Sequence, residues 1–172
     1  MSRTLRLFLL AIAVAPGIFT KEDPVQWTLK PANGASSIAP GGKAYLELKA
    51  SIEPGWHLYS PTTAPGGPIK TTIRIADSPS IASYVVYRPQ PVRKFDPNFQ
   101  IETETYSDQA TFFIEAIASA AASGKSTIRA NVRYQSCTDV KCLPPVKKTA
   151  ATDITFAPGV PETASVSGRS LR

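Results

Sequence analysis

From Val25 onward, apolar and polar residues alternate with a period of two. In AYLELKASI, Ala44, Leu46, Leu48, Ala50 and Ile52 alternate with Tyr45, Glu47, Lys49 and Ser51. In PIKTTIRIA, Ile69, Thr71, Ile73 and Ile75 alternate with Lys70, Thr72 and Arg74. In STIRANVRYQ, Ile128, Ala130, Val132 and Tyr134 alternate with Thr127, Arg129, Asn131 and Arg133. Such alternation predicts strands with one buried and one solvated face. Residues 25–30, 83–87, 111–118 and 148–156 also read as strands from their β-branched and aromatic content. The breaks carry turn chemistry: PANG, APGG, EPG, APGGP, DSPS and ASGK. Seven or more short strands with regular turns predict an all-β fold, an immunoglobulin-like antiparallel β-sandwich, with a small barrel as the alternative. Residues 93–108 break the rhythm, starting irregularly and ending polar. They read as a loop followed by an edge strand, and long loops on a rigid scaffold are where function tends to sit.

The ends differ from this middle. Arg3 and Arg6 precede an uncharged apolar run from Leu7 to Phe19. Its length fits a secretory leader over residues 1–20 and falls short of a bilayer span. The sequence does not place the cleavage point, and an uncleaved amphipathic end is the alternative. Residues 21–157 form the expected domain, and the tail 158–172 lacks core residues and is expected to be disordered. No second apolar run reaches membrane-spanning length, so the mature chain is expected to be soluble, periplasmic and in a disulfide-permissive compartment. Hydrophobic content of 42% and charged content of 19% fit a globular chain. The formal charge of +6 falls to +4 without Arg3 and Arg6, and the basic residues are dispersed. That distribution describes a solvated surface and gives no nucleic-acid patch.

The candidate chemistry lies in YQSCTDVKCLPPVKK, residues 134–148, which holds both cysteines of the chain. Extending the alternation of residues 126–136 puts Cys137 on the outward face at a strand end, in phase with Arg129 and Arg133. It is therefore expected to be exposed. TDVK and the stiff Pro144-Pro145 suit a hairpin whose tip brings Cys137 and Cys142 together. A disulfide over so short a loop stabilises by about 2 kcal/mol in the chain-entropy model, so a staple is poorly placed here. On spacing alone, staple and redox roles stay open together. Lys141, with Lys147 and Lys148 nearby, favours thiolate and hence exchange; Asp139 opposes it. A copper or zinc site built from Cys137, Cys142, His57 and a carboxylate such as Asp139 is a third reading, although no spacing brings His57 to the pair. Other apparatus is missing. No G-x-S-x-G accompanies the lone histidine, there is no P-loop, and Glu102 and Glu104 read as a solvated strand edge.

Three stretches together, PGWHLYSP (54–61), KFDPNFQIETETY (94–106) and YQSCTDVKCLPPVKK (134–148), resemble the N-terminal periplasmic domain of the thiol:disulfide interchange protein DsbD, the disulfide bond corrector family. The resemblance spans about residues 24–156. It implies an immunoglobulin-like sandwich whose cysteine pair, Cys137 and Cys142 here, shuttles electrons. It also implies a cap loop shielding the pair with an aromatic ring, which Phe99 matches, and an active-site tyrosine, which Tyr59 matches. At His57 the family's best-known member carries another tyrosine, and it has one more residue between its cysteines. The full-length family protein also carries a membrane electron-transfer region and a thioredoxin-like domain, which this sequence lacks.

The resulting expectation is an exported, stand-alone thiol–disulfide exchange domain. A thioredoxin-like or membrane thiol reductase would donate electrons, oxidised periplasmic proteins would accept them, and no cofactor or resident metal is needed. The charge of Lys141 favours Cys142 as the attacking thiol. The alternatives are a non-catalytic binding module with a structural hairpin disulfide, and a copper carrier using Cys137, Cys142 and His57.

Overall fold

The structure is a computed structural model that describes residues 23–158. The expected leader and all but the first residue of the expected tail lie outside the described residues. The described residues are all-β, and twelve strands account for their regular structure. They are β1 (Val25–Pro31), β2 (Ser37–Ile38), β3 (Lys43–Ile52), β4 (His57–Tyr59), β5 (Thr72–Ile75) and β6 (Ile81–Tyr87). They continue with β7 (Val92–Asp96), β8 (Ile101–Ser107), β9 (Gln109–Ala118), β10 (Gly124–Tyr134), β11 (Ser136–Cys137) and β12 (Val146–Phe156).

Two four-stranded sheets make the sandwich, in orders β1-β3-β9-β6 and β2-β12-β10-β5. All pairings are antiparallel except the two-residue contact of β2 with β12. The alternation read from the sequence becomes the core. Leu46, Leu48 and Ala50 of β3 and Phe112, Ile114 and Ala116 of β9 meet Ile128, Ala130, Val132 and Ile154 from the other sheet in one buried cluster. This architecture is the immunoglobulin-like sandwich.

A third sheet, β11-β4-β8-β7, grows from one end of the sandwich. Its strands are continuations of the main ones, set off by local breaks. Between β3 and β4, Glu53-Pro54-Gly55-Trp56 closes a turn in which the Trp56 amide donates to the Glu53 carbonyl at 3.1 Å. Gly55 there has φ 81°, the left-handed value that a proline–glycine turn of this type requires. Asp108, at φ 61°, breaks β8 from β9, and its carbonyl accepts the Ile52 amide at 2.8 Å.

Residues 93–108 are here a hairpin, not a loop followed by an edge strand. The edge is β7, and β8 is an interior strand between β4 and β7. The cause is polar burial. On one face of β8 the buried residues are Thr103 and Thr105, and on the other Tyr106 is buried. The threonine hydroxyls donate to the Lys94 and Val92 carbonyls, each at 3.4 Å, so no apolar alternation marks the strand.

Candidate functional site

The end sheet places the candidate residues on one face. In antiparallel pairing, directly opposed residues share a face, as do residues two apart on a strand. Cys137 stands opposite His57, and His57 precedes Tyr59 by two. Tyr59 opposes Thr105, Thr105 opposes Val92, and Lys94 and Asp96 follow on the same face. The opposite face carries Leu58 and Tyr106 into the sandwich core.

The cysteine hairpin is tight. Cys137 and Cys142 pair across its neck as an isolated antiparallel bridge and are joined by a disulfide, with their Cα atoms 4.1 Å apart. The Leu143 amide donates to the Ser136 carbonyl at 2.9 Å below the bond, and the Thr138 amide donates to the Lys141 carbonyl at 2.8 Å above it. The Thr138 hydroxyl accepts the Val140 and Lys141 amides at 3.3 and 3.1 Å, which fastens the four-residue tip. At its base, Gln135 spans two segments, accepting the Ile69 amide at 3.0 Å and donating to the Leu143 carbonyl at 3.1 Å.

The sequence reading expected Cys137 to be exposed, and this is corrected: it is 0% exposed. The strand phase itself holds, since neighbouring Ser136 pairs with core-facing Leu58. What differs is that the supposedly outward face is roofed. The turn Pro97–Gln100, joining β7 to β8, folds over it. Cys142, next in the pair, is partly exposed.

The roof is held by identifiable bonds. Asp96, buried, accepts the Asn98 amide on Oδ1 at 2.9 Å, and the Gln100 amide returns to the Asp96 carbonyl at 2.8 Å. Gln100 takes φ 59° to close the turn. Asn98 Nδ2 then donates to the Thr138 carbonyl at 2.9 Å, tying the turn to the cysteine hairpin. Lys94 forms an ion pair with Asp139 at 3.1 Å across the same gap. The Phe99 ring stands edge-on to Tyr59, with centroids 6.1 Å apart.

Beneath the roof runs a polar chain. The Tyr59 hydroxyl donates to Asp96 Oδ2 at 2.7 Å, and His57 Nε2 lies 3.1 Å from the same hydroxyl. His57 and Tyr59 are both buried. Burial, with the Lys94 charge next, lowers the His57 pKa from 6.5, against smaller opposing effects of Asp96 and Asp139. Burial and then the bond to Asp96 raise the Tyr59 pKa. The hydrogen bond from Lys94 lowers that of Asp139.

The charges near the pair are directed. The Lys141 ammonium sits 5.1 Å from the centre of the Trp56 ring. Lys148 is paired with Asp23 at 2.7 Å. Among the described residues, no group of three or more His, Cys, Asp or Glu side chains is placed to hold a metal ion. Glu104 is occupied by Arg93 at 3.0 Å and by the Thr62 hydroxyl.

Sequence reasoning therefore named Cys137, Cys142, His57, Tyr59, Phe99, Asp139 and Lys141, and the fold gathers them at one end of the molecule. It missed Asp96, Asn98 and Lys94, which build and latch the roof. The Asp-Pro-Asn run was a usable signal, because an aspartate before such a turn commonly caps the backbone two residues on.

The fold and site define a class: an immunoglobulin-like sandwich carrying a hairpin disulfide under a latched turn. The family described as "Thiol:disulfide interchange protein DsbD, N-terminal" matches residues 10–154, and the chain belongs to that family. Among solved structures, it is similar to the N-terminal periplasmic domain of ScsB from Proteus mirabilis at 19% identity and a TM-score of 0.59. That match covers 80% of this chain and 50% of the other, so the chain spans half of the ScsB domain's length. The Neisseria meningitidis DsbD n-terminal domain in the reduced form matches at 20% identity, 69% and 79% coverage, and a TM-score of 0.39. No curated protein matches. Among the described residues, no helix is long and apolar enough to cross a membrane.

Proposed function

We propose that the chain is an exported thiol–disulfide exchange domain acting through Cys137 and Cys142. In the reduced state, one thiolate attacks a substrate disulfide and forms a mixed disulfide; the other displaces it, leaving the substrate as a dithiol and the pair oxidised. A thioredoxin-like or membrane thiol reductase then restores the dithiol, and oxidised periplasmic proteins are the acceptors. The observation that carries this reading is the placement of the disulfide. It closes a six-residue segment tied to the turn Pro97–Gln100, where a staple contributes only about 2 kcal/mol by chain entropy. The partial exposure of Cys142 against the full burial of Cys137 supports Cys142 as the attacking thiol and Cys137 as the resolving one.

Trapping tests this assignment. A Cys137→Ser chain mixed with a single-cysteine thioredoxin activated as its nitrothiobenzoate mixed disulfide should expel the nitrothiolate and accumulate a stable mixed disulfide through Cys142, and Cys142→Ser should accumulate little. Equal trapping by both variants would remove the assignment. No trapping by either, with an intact fold, would favour a binding module whose disulfide only holds the hairpin.

A further inference from the structure

His57 has a definite tautomer. The hydroxyl of Tyr59 has one proton, and it goes to Asp96 Oδ2. Asp96 accepts on both oxygens, from Tyr59 and from the Asn98 amide. The contact between His57 Nε2 and that hydroxyl oxygen must then be a bond donated by Nε2. The proton sits on Nε2, and Nδ1 keeps its lone pair. Among the described residues, the His57 side chain makes its hydrogen bond at Nε2.

This lone pair belongs to the residue directly opposite Cys137 on β4, on the same face of the ladder. Cβ atoms of such pairs lie about 4.5–5.5 Å apart, which lets an imidazole reach a neighbouring sulfur. Ser107 flanks His57 from β8, and the titratable groups of the face are committed. Tyr59 and Asp96 hold each other, and Lys94 is paired with Asp139. Lys141 lies over Trp56, and as a cation offers no acceptor. Cys137 itself is fully buried.

We propose that His57 is the general base for Cys137, its Nδ1 taking the thiol proton as the resolving sulfur attacks the mixed disulfide on Cys142. The step balances. A bond forms between the Cys137 and Cys142 sulfurs, and the bond from Cys142 to the substrate sulfur breaks. The electron pair leaves on the substrate sulfur, which is reduced, and the proton held on Nδ1 returns to it or to water. In the recharging direction Nδ1 takes the proton of the donor thiol that attacks Cys142 and passes it to departing Cys137. Loss of positive charge by burial and by Lys94 keeps the imidazole neutral, and so ready as an acceptor, at neutral pH. The proposal rests on the exchange reading above, with Cys142 attacking first.

The experiment uses the reduced domain and an aromatic disulfide reagent, dithiobis-nitrobenzoate, in stopped flow. The first nitrothiolate released reports attack by Cys142; the second reports closure by Cys137. The wild-type second phase should rise through the titration of His57, below pH 6.5, and be level by neutral pH. In His57→Gln, which keeps a donor for Tyr59, it should slow about 100-fold near neutral pH and recover only toward the thiol range, about 8.5. The first phase should stay within about twofold, and free imidazole should partly restore the second phase in His57→Ala. A wild-type second phase that climbs only in the thiol range overturns the proposal, even where the variants fold poorly. So does a well-folded His57→Gln with an unchanged second phase, and both leave the exchange reading standing. Absence of any second release from wild type overturns both.

Discussion

Breaking the latch over the disulfide should make it easier to reduce. The turn Pro97–Gln100 is tied to the cysteine hairpin by the Asn98 side chain on the Thr138 carbonyl and by Lys94 on Asp139. Asn98→Ala removes a hydrogen bond of about 1 kcal/mol net, equivalent to about a fivefold rise in the open population. Asp139→Asn removes an ion pair whose members are 71% and 37% exposed, so solvent screening leaves it about 0.3 kcal/mol and less than twofold. The two together should approach tenfold, short of strict additivity because both act on one turn. The assay is reduction of Cys137–Cys142 by excess dithiothreitol, with thiols trapped over time. Loop motions on the nanosecond-to-microsecond scale are fast against that chemistry, so the rate tracks the open fraction. Added salt should shrink the Asp139→Asn effect and spare the Asn98→Ala effect. A correctly folded Asn98→Ala domain reduced at the wild-type rate would refute the claim that this turn guards the bond.

Phe99→Ala, which loses the edge contact to Tyr59, should speed alkylation of the reduced thiols severalfold; an unchanged rate would remove the ring from the cap. Tyr59→Phe deletes the hydroxyl shared by His57 and Asp96 and should cost about 1–3 kcal/mol in denaturant unfolding, with a loss near zero counting against the buried chain. Phe112→Ala, at a fully buried centre of the sandwich, should cost about 3–5 kcal/mol in the same measurement. Stability should fall as pH drops below 6.5, because the unfolded chain protonates its histidine there while buried His57 does not. The loss should end once the folded His57 titrates, and His57→Gln should flatten this region. Asp139, Asp153 and Glu104, whose pKa values are lowered, contribute stability that is lost only in the more acidic carboxylate range. A wild-type profile as flat as that of His57→Gln between neutrality and pH 5 would refute the assignment.

The sandwich was readable because its strands bury one apolar face against a common core. Leu46, Leu48, Ile128 and Val132 announce themselves by alternation. The end sheet was not, for physical reasons that differ by strand. On one face the buried side chains of β8 are threonines that donate to carbonyls on β7. All three residues of β4 are buried, so no wet face marks it. His57 and Cys137 are opposed by register across many intervening residues, which no local spacing encodes. For Cys137, the strand phase gave the right face but not its exposure. Exposure depends on the roof, and the roof depends on Asn98 finding a backbone carbonyl in a distant hairpin. The cysteines themselves were legible because they are the chain's only two and lie in one short segment.

The central claim is that the Cys137–Cys142 bond is traded, and a glutathione redox titration of the purified domain, with thiol trapping to count free cysteines, tests it most directly. The account predicts a reversible two-electron midpoint within the span of known exchange proteins, roughly −120 to −270 mV. A midpoint below about −300 mV would mark a bond resistant to the thiol pool, and would contradict the account in favour of a structural disulfide.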